Sequence, residues 1–148
     1  MKIGIVLIFP TNENAFDVAK YVDLFSKNTK LHLCFVHNGS SDDTLSSLKE
    51  IQEEVNCQIS IVEIKKNRGH AAAIKAGIRY LHSAANVTHV ICVQEFTYAT
   101  IKNLLHVIHQ DKKQLKHFFT NLKRLPYKNV FLLENIGKSV QKNLNSQY

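Results

Sequence analysis

The strongest constraint on this chain is an alternation: short, almost unbroken apolar runs recur, each followed by a segment whose apolar residues fall at helical spacing. The runs Ile3–Phe9, 31–36, 59–64 and 90–93, the last beginning near His89, are rich in Ile, Val, Leu and Phe. They are short for helices and fit strands covered on both faces. After the first run, residues 15–26 set Phe16, Val18, Ala19, Val22 and Phe25 on one helical face. After the second, Ser40-Ser41-Asp42-Asp43 offers an N-cap and an acidic first turn to a helix ending near Val55. After the third, the Asn67-Arg68-Gly69 turn leads into an alanine-rich helix, His70–Ala84. Strands alternating with helices predict an α/β fold, a mainly parallel sheet with helices on both faces.

Size and composition narrow the options further. A chain of 148 residues, 45% hydrophobic and 21% charged, fits one domain with one core. At this length roughly 70% of the unfolded surface can be buried, so folding needs no disulfide or structural metal. Cys34, Cys57 and Cys92 form no paired framework, and Cys34 and Cys92 sit inside apolar runs as small hydrophobes. That usage suits the reducing cytoplasm. Met1-Lys2 followed by Ile3–Phe9 reads as a strand rather than a signal peptide, since Pro-Thr-Asn-Glu-Asn follows it instead of a small-residue cleavage site. No apolar stretch approaches the ~20 residues needed for a transmembrane segment.

The C-terminal third differs in kind. Ile101, Leu104, Leu105 and Ile108, then Leu115, Phe118, Phe119 and Leu122, mark one long or two successive amphipathic helices, broken before Pro126 and followed by a last strand at 129–133. Residues 1–100 carry ten basic and ten acidic side chains, whereas 101–148 carry nine basic and two acidic, so this part holds the whole net charge of +7. Lys112, Lys113, Lys116, Lys123, Arg124 and Lys128 are either a solvated face or a surface for anionic lipid or a partner protein. No nucleic-acid motif accompanies them, so nucleic acid is not an expected partner. His106, His109 and His117 have a spacing compatible with metal ligation, but no carboxylate or cysteine completes a set, and exposed helical histidines are the plainer reading.

In open α/β sheets ligands bind beyond the carboxyl ends of the strands, which directs attention to 10–13, 37–40, 66–69 and 94–97. Gly39 permits a sharp turn out of a strand, and the free N–H groups at the following helix start favour anionic or polar ligands. An ordinary capped strand-to-helix turn explains the same residues without any ligand. Gly69 permits close backbone approach, and Lys75, a turn into its helix, is either a point charge for a phosphate or a solvated lysine.

Four stretches in order carry a family resemblance. Ile5-Val6-Leu7-Ile8-Phe9-Pro10-Thr11-Asn12-Glu13 is similar to an opening strand with a Pro-Thr-Tyr-Asn-Glu turn, and Phe35-Val36-His37-Asn38-Gly39-Ser40-Ser41-Asp42-Asp43-Thr44 to a Val-Asp-Asp-Gly-Ser-x-Asp-x-Thr signature. Asn67-Arg68-Gly69-His70-Ala71-Ala72-Ala73-Ile74-Lys75-Ala76-Gly77 resembles an Asn-x-Gly segment, and Val90-Ile91-Cys92-Val93-Gln94-Glu95-Phe96 falls where a strand ends in Asp-x-Asp. Together, over about residues 3–100, they resemble the nucleotide-binding half of the family 2, GT-A-type glycosyltransferases.

The resemblance implies the first half of a GT-A fold, with central strand order 3-2-1-4 and the last strand beyond the fourth. It implies a nucleotide-diphosphate sugar as ligand, held by Pro10, Thr11, Glu13, His37, Asn38, Gly39, Ser40, Asn67, Gly69, Lys75, Gln94 and Glu95. Asn38 takes the position of the carboxylate that reads the nucleobase or ribose, and an amide both donates and accepts there. His37 replaces the preceding Asp. The family's Mg²⁺ or Mn²⁺ is held by two carboxylates whose positions here are Gln94 and Phe96, so no metal cofactor is expected. After Glu95 only Asp111 and Glu134 are acidic, neither in a recognisable base motif. The expectation is a truncated donor half, degenerate or needing a partner for sugar transfer, with Leu115, Phe118, Phe119, Leu122 and Tyr127 free to form a homodimer or to bind another chain. The alternative is a non-enzymatic interaction protein that uses its basic C-terminal helices.

Overall fold

A computed structural model describes residues 1–9, 17–27, 30–39, 42–84, 86–94 and 97–133. The chain runs β1 (Ile3–Phe9), α1 (Val18–Ser26), β2 (His32–Asn38), α2 (Asp42–Glu54), β3 (Gln58–Ile64), α3 (His70–Ala84) and β4 (His89–Val93), then α4 (Tyr98–Ile108), α5 (Lys112–Thr120), β5 (Lys123–Arg124) and β6 (Val130–Leu132). The six strands pair in the order β3-β2-β1-β4-β6-β5. All pairings are parallel except that of β5 with β6. The central order 3-2-1-4 and the place of the last strand agree with expectation.

Every residue of β1 and β2 is buried, as the unbroken apolar runs require of strands with helices above and below. Side chains alternate across the sheet. Ile5, Leu7, Leu33, Phe35, Ile91 and Val93 enter a core shared with α1, α2, α4 and α5. Val6, Ile8, Cys34, Val36, Val90 and Cys92 pack on the other face against Ala73, Ile74, Ile78 and Leu81 of α3. Gly77 lets α3 lie close to the sheet: a Cβ there would come within 2.6 Å of a Val6 methyl. Burial pushes the Cys34 and Cys92 thiols up to about 12, as suits core hydrophobes.

The C-terminal third decides between the two expected helix arrangements and departs from expectation in two further respects. The apolar pattern belongs to two helices, which separate where Asp111 caps α5 by accepting the Gln114 N–H at 2.9 Å. Lys123 and Arg124 lie on a short strand at the sheet edge and Lys128 in the following turn, so the basic surface is only partly helical. Charged residues on an edge strand oppose pairing with another sheet. The turn closes through the Leu125 N–H, which donates to the Val130 carbonyl at 2.9 Å. The expected free apolar face is also corrected: Leu115, Phe118, Phe119 and Leu122 are all buried in the chain's own core, and only Tyr127 is exposed. Phe119 packs on Phe131 with ring centroids 4.7 Å apart. Residues of α4 and α5 thus share one core with Ile91 and Val93 of β4 and Phe131 of β6.

Two histidines at the amino ends of the strands link stability to pH. His32 is buried with Nε2 2.9 Å from the Ser60 hydroxyl, and its pKa is lowered by burial, with Lys2 adding to the effect and Gln58 opposing it. His89 lies against the rings of Phe119 and Phe131, and burial followed by the charge of the N-terminus lowers it as well. Both therefore take up a proton more readily in the unfolded chain, so their contribution is full above the unfolded pKa of about 6.5 and is lost as pH falls below it. The melting temperature is expected to fall between about pH 7.5 and pH 5, and a His32→Gln, His89→Gln double variant to lose part of that slope. Thermal melts across the range, with an unchanged slope in the variant counting against both assignments, provide the check.

Candidate functional site

The carboxyl ends of β1 to β4 meet at one edge of the sheet, and two glycine turns join there. Gly39 follows β2 with φ of 70°, and Gly69 precedes α3 with φ of 86°, both in the left-handed region that glycine alone enters without strain. The Gly39 N–H donates to the Ile64 carbonyl at 2.9 Å, carrying the β2–β3 ladder one step past the strands. A Cβ on Gly39 would lie 2.5 Å from the Asn67 backbone nitrogen, so the two turns touch backbone to backbone. Gly69 has nothing within 4 Å of where its Cβ would be, which leaves its approach open.

Asn38 ties these turns together. Its side-chain carbonyl accepts the Arg68 backbone N–H at 3.2 Å, and its amide nitrogen donates to Asn67 Oδ1 and to the Gly69 carbonyl, each at 3.4 Å. Asn67 Oδ1 also accepts the Gly69 N–H at 2.8 Å, and the Gly69 carbonyl takes the Ala73 N–H at 3.2 Å to start α3. Asn38 itself has no exposed surface. Residues 65–70, by contrast, are exposed, so Lys65, Lys66, Arg68 and His70 lie on the exposed segment that leads into α3. Backbone N–H groups at such a terminus and nearby cations suit a diphosphate.

The other expected site residues are dispersed. His37 is buried on the face it shares with Phe9 and Phe35, opposite Asn38, because neighbours along a strand point to opposite sides. Lys75 lies on the exposed stripe of α3 with Ala71, Arg79 and His82, away from the buried face of Ala73, Ile74, Gly77 and Ile78. Gln94 is half-buried just past β4 at the same edge, with β1 between it and β2, roughly 10 Å across by strand spacing. Pro10, Thr11, Glu13, Ser40 and Glu95 lie outside the described residues, as do Phe96 and Glu134. Lys65 and Arg68 are not singled out by the sequence, because lysines and arginines in a turn look like ordinary solvated charge.

The described residues do not fit a divalent cation. Gln94 offers a neutral amide, and Glu63 at the end of β3 is separated from it by two intervening strands. No group of three or more metal-binding side chains occurs among the described residues, and His106, His109 and His117 are each exposed. Asp111 is engaged as the α5 cap. No helix among the described residues is long and apolar enough to cross a membrane.

The family model described as Glycosyl transferase family 2 matches residues 12–94, more than half of the chain. No curated protein matches the chain. The matched stretch begins three residues past β1 and runs to the residue after β4, and so contains both glycine turns, Asn38 and the α3 N-terminus. A mostly parallel six-stranded sheet with these helices agrees with the first half of a GT-A fold. With sequence and architecture in agreement, the chain belongs to glycosyl transferase family 2.

Proposed function

We infer that this protein binds a nucleotide-diphosphate sugar at the carboxyl edge of its sheet and is catalytically incomplete by itself. The observation that carries this reading is the junction of the Gly39 and Gly69 turns, with an exposed, cation-bearing segment that leads into α3, inside the region that matches the family. Exposed N–H groups of the α3 terminus would take the diphosphate, with Arg68 and Lys66 as counter-charges. Glu13, Thr11 and Ser40 are further proposed contacts, and Gln94 and Glu95 would flank the sugar.

Sugar transfer breaks the bond from the anomeric carbon to the diphosphate oxygen and forms one to an acceptor hydroxyl, whose proton passes to a base. General-base assistance contributes about 10²–10⁴-fold, and losing charge stabilisation at the leaving group costs as much again. Among the described residues Asp111 is committed to capping α5, and Gln94 supplies no negative charge for a metal. A partner chain would supply what transfer needs. The basic surface of Lys112, Lys113, Lys116, Arg124 and Lys128, all exposed, favours a second reading in which the protein acts by contact with an anionic surface or partner.

Calorimetric titration of the full chain with UDP, GDP, CDP and dTDP sugars, with and without Mn²⁺, separates these. Saturable, base-selective binding that depends weakly on Mn²⁺ is expected. Salt-sensitive binding to any polyanion with no base preference would favour the second reading. Release of nucleoside diphosphate by the isolated chain at about 1 s⁻¹ or faster would overturn the inference of incompleteness.

A further inference from the structure

We propose that Asn38 is a positioning residue that shapes the diphosphate-binding turn from beneath, and that it does not read the ligand. The resemblance gives its position to a base-reading carboxylate, yet here the side chain is fully buried on the α3 side of the sheet and satisfied by the turn. Its orientation is unambiguous: the carbonyl oxygen faces the Arg68 N–H, and the amide nitrogen faces two acceptor oxygens, those of Asn67 and Gly69. Those two oxygens are themselves held. One accepts the Gly69 N–H and the other the Ala73 N–H, so neither can turn away without opening the turn or the first turn of α3.

This arrangement requires an amide and rejects a carboxylate. Aspartate has the same shape but no donor, so its second oxygen would face the Asn67 and Gly69 oxygens in a buried site, which is a repulsive contact. A protonated aspartic acid would restore the pattern, with one oxygen accepting and the O–H donating. The Asp-to-Asn change relative to the family signature therefore converts a candidate ligand contact into a clamp on residues 67–69. The consequence for recognition is that base selectivity must come from other residues at the edge, while Asn38 sets the strength of diphosphate binding. This inference rests on the proposed nucleotide site for its binding arm only.

The test compares the full-length wild type with Asn38→Asp and Asn38→Ala. For Asn38→Asp, the melting-temperature deficit relative to wild type should be clear at about pH 8 and shrink toward about pH 5, because protonation regenerates the donor and the buried acid titrates above the usual aspartate range. UDP binding should be weakened by about tenfold or more at the higher pH and recover in step, with the order of preference among nucleotides unchanged. In Asn38→Ala, amide exchange at Arg68 and Gly69 should accelerate by about tenfold or more relative to the β2 core. A pH-independent deficit, wild-type exchange at Arg68 and Gly69, or a changed base preference with an unchanged turn would each overturn the proposal. If wild type binds no nucleotide, the site reading fails, while the pH-dependent stability and the exchange rates still decide the clamp.

Discussion

Gly39→Ala is expected to destabilise the protein by about 2 kcal/mol or more, which for a chain of this size lowers the melting temperature by about 5 °C or more. Two costs add. The left-handed backbone at φ of 70° strains any residue with a Cβ, and that Cβ would sit 2.5 Å from the Asn67 backbone nitrogen, an atom that cannot rotate aside. Gly69→Ala provides the internal control, since it has comparable strain at φ of 86° but no atom within 4 Å of the new methyl. It should cost only the strain, about 1–2 kcal/mol. Chemical denaturation of the two variants makes the comparison, and an equal loss in both would show that the turns do not pack as described. Because relief of the clash would push residues 66–67 away, Gly39→Ala should also weaken nucleotide binding more than Gly69→Ala does.

Phe118→Ala is expected to cost about 3–5 kcal/mol, the range for removing a buried aromatic ring and leaving a cavity. Phe118 has no exposed surface and belongs to the same apolar cluster as Leu7, Phe35 and Phe131, so the loss falls on the central core. Lys116→Ala, on the exposed side of the same helix, should change stability by no more than about 0.5 kcal/mol. Equilibrium denaturation in urea distinguishes a shared core from a separable helical appendage. In the first case Phe118→Ala shifts the whole transition to lower denaturant. In the second, the main transition stays where it is and only helical signal is lost early. The same result bears on association: with Leu115, Phe118, Phe119 and Leu122 already buried within the chain, the apolar face that motivated a dimer is used internally.

Much of this architecture is legible because it depends on local patterns. The Ile3–Phe9 strand and the His70–Ala84 helix have the bounds expected from the sequence, as a continuous apolar run bounded by polar turns and an alanine-rich amphipathic stretch each specify one element. The second strand extends to Asn38, two residues past its apolar run, since the ladder to β3 continues with Asn38 opposite Ile64 and Gly39 bonded to the Ile64 carbonyl. Backbone pairing does not consult side-chain polarity, so a polar end of a strand is hard to read. Strand β5 has two basic residues and no apolar periodicity, and exists because β6 offers it a partner.

The candidate site divides along the same line. Sequence alone determined which turns sit at the carboxyl edge, because the order of strands and helices places Gly39, Asn67 and Gly69 there and glycine is the residue that turns with positive φ at least cost. The direction of each side chain was decided only by tertiary structure. His37 and Asn38 are adjacent in the chain yet face opposite sides of the sheet, Lys75 follows the solvent-facing stripe of its helix, and Asn38 meets residues 67–69 across about thirty positions of sequence. Hydrogen bonds over that separation form only after β3 has paired with β2 and brought the second turn alongside the first, and it is this pairing that makes Asn38 a buried clamp.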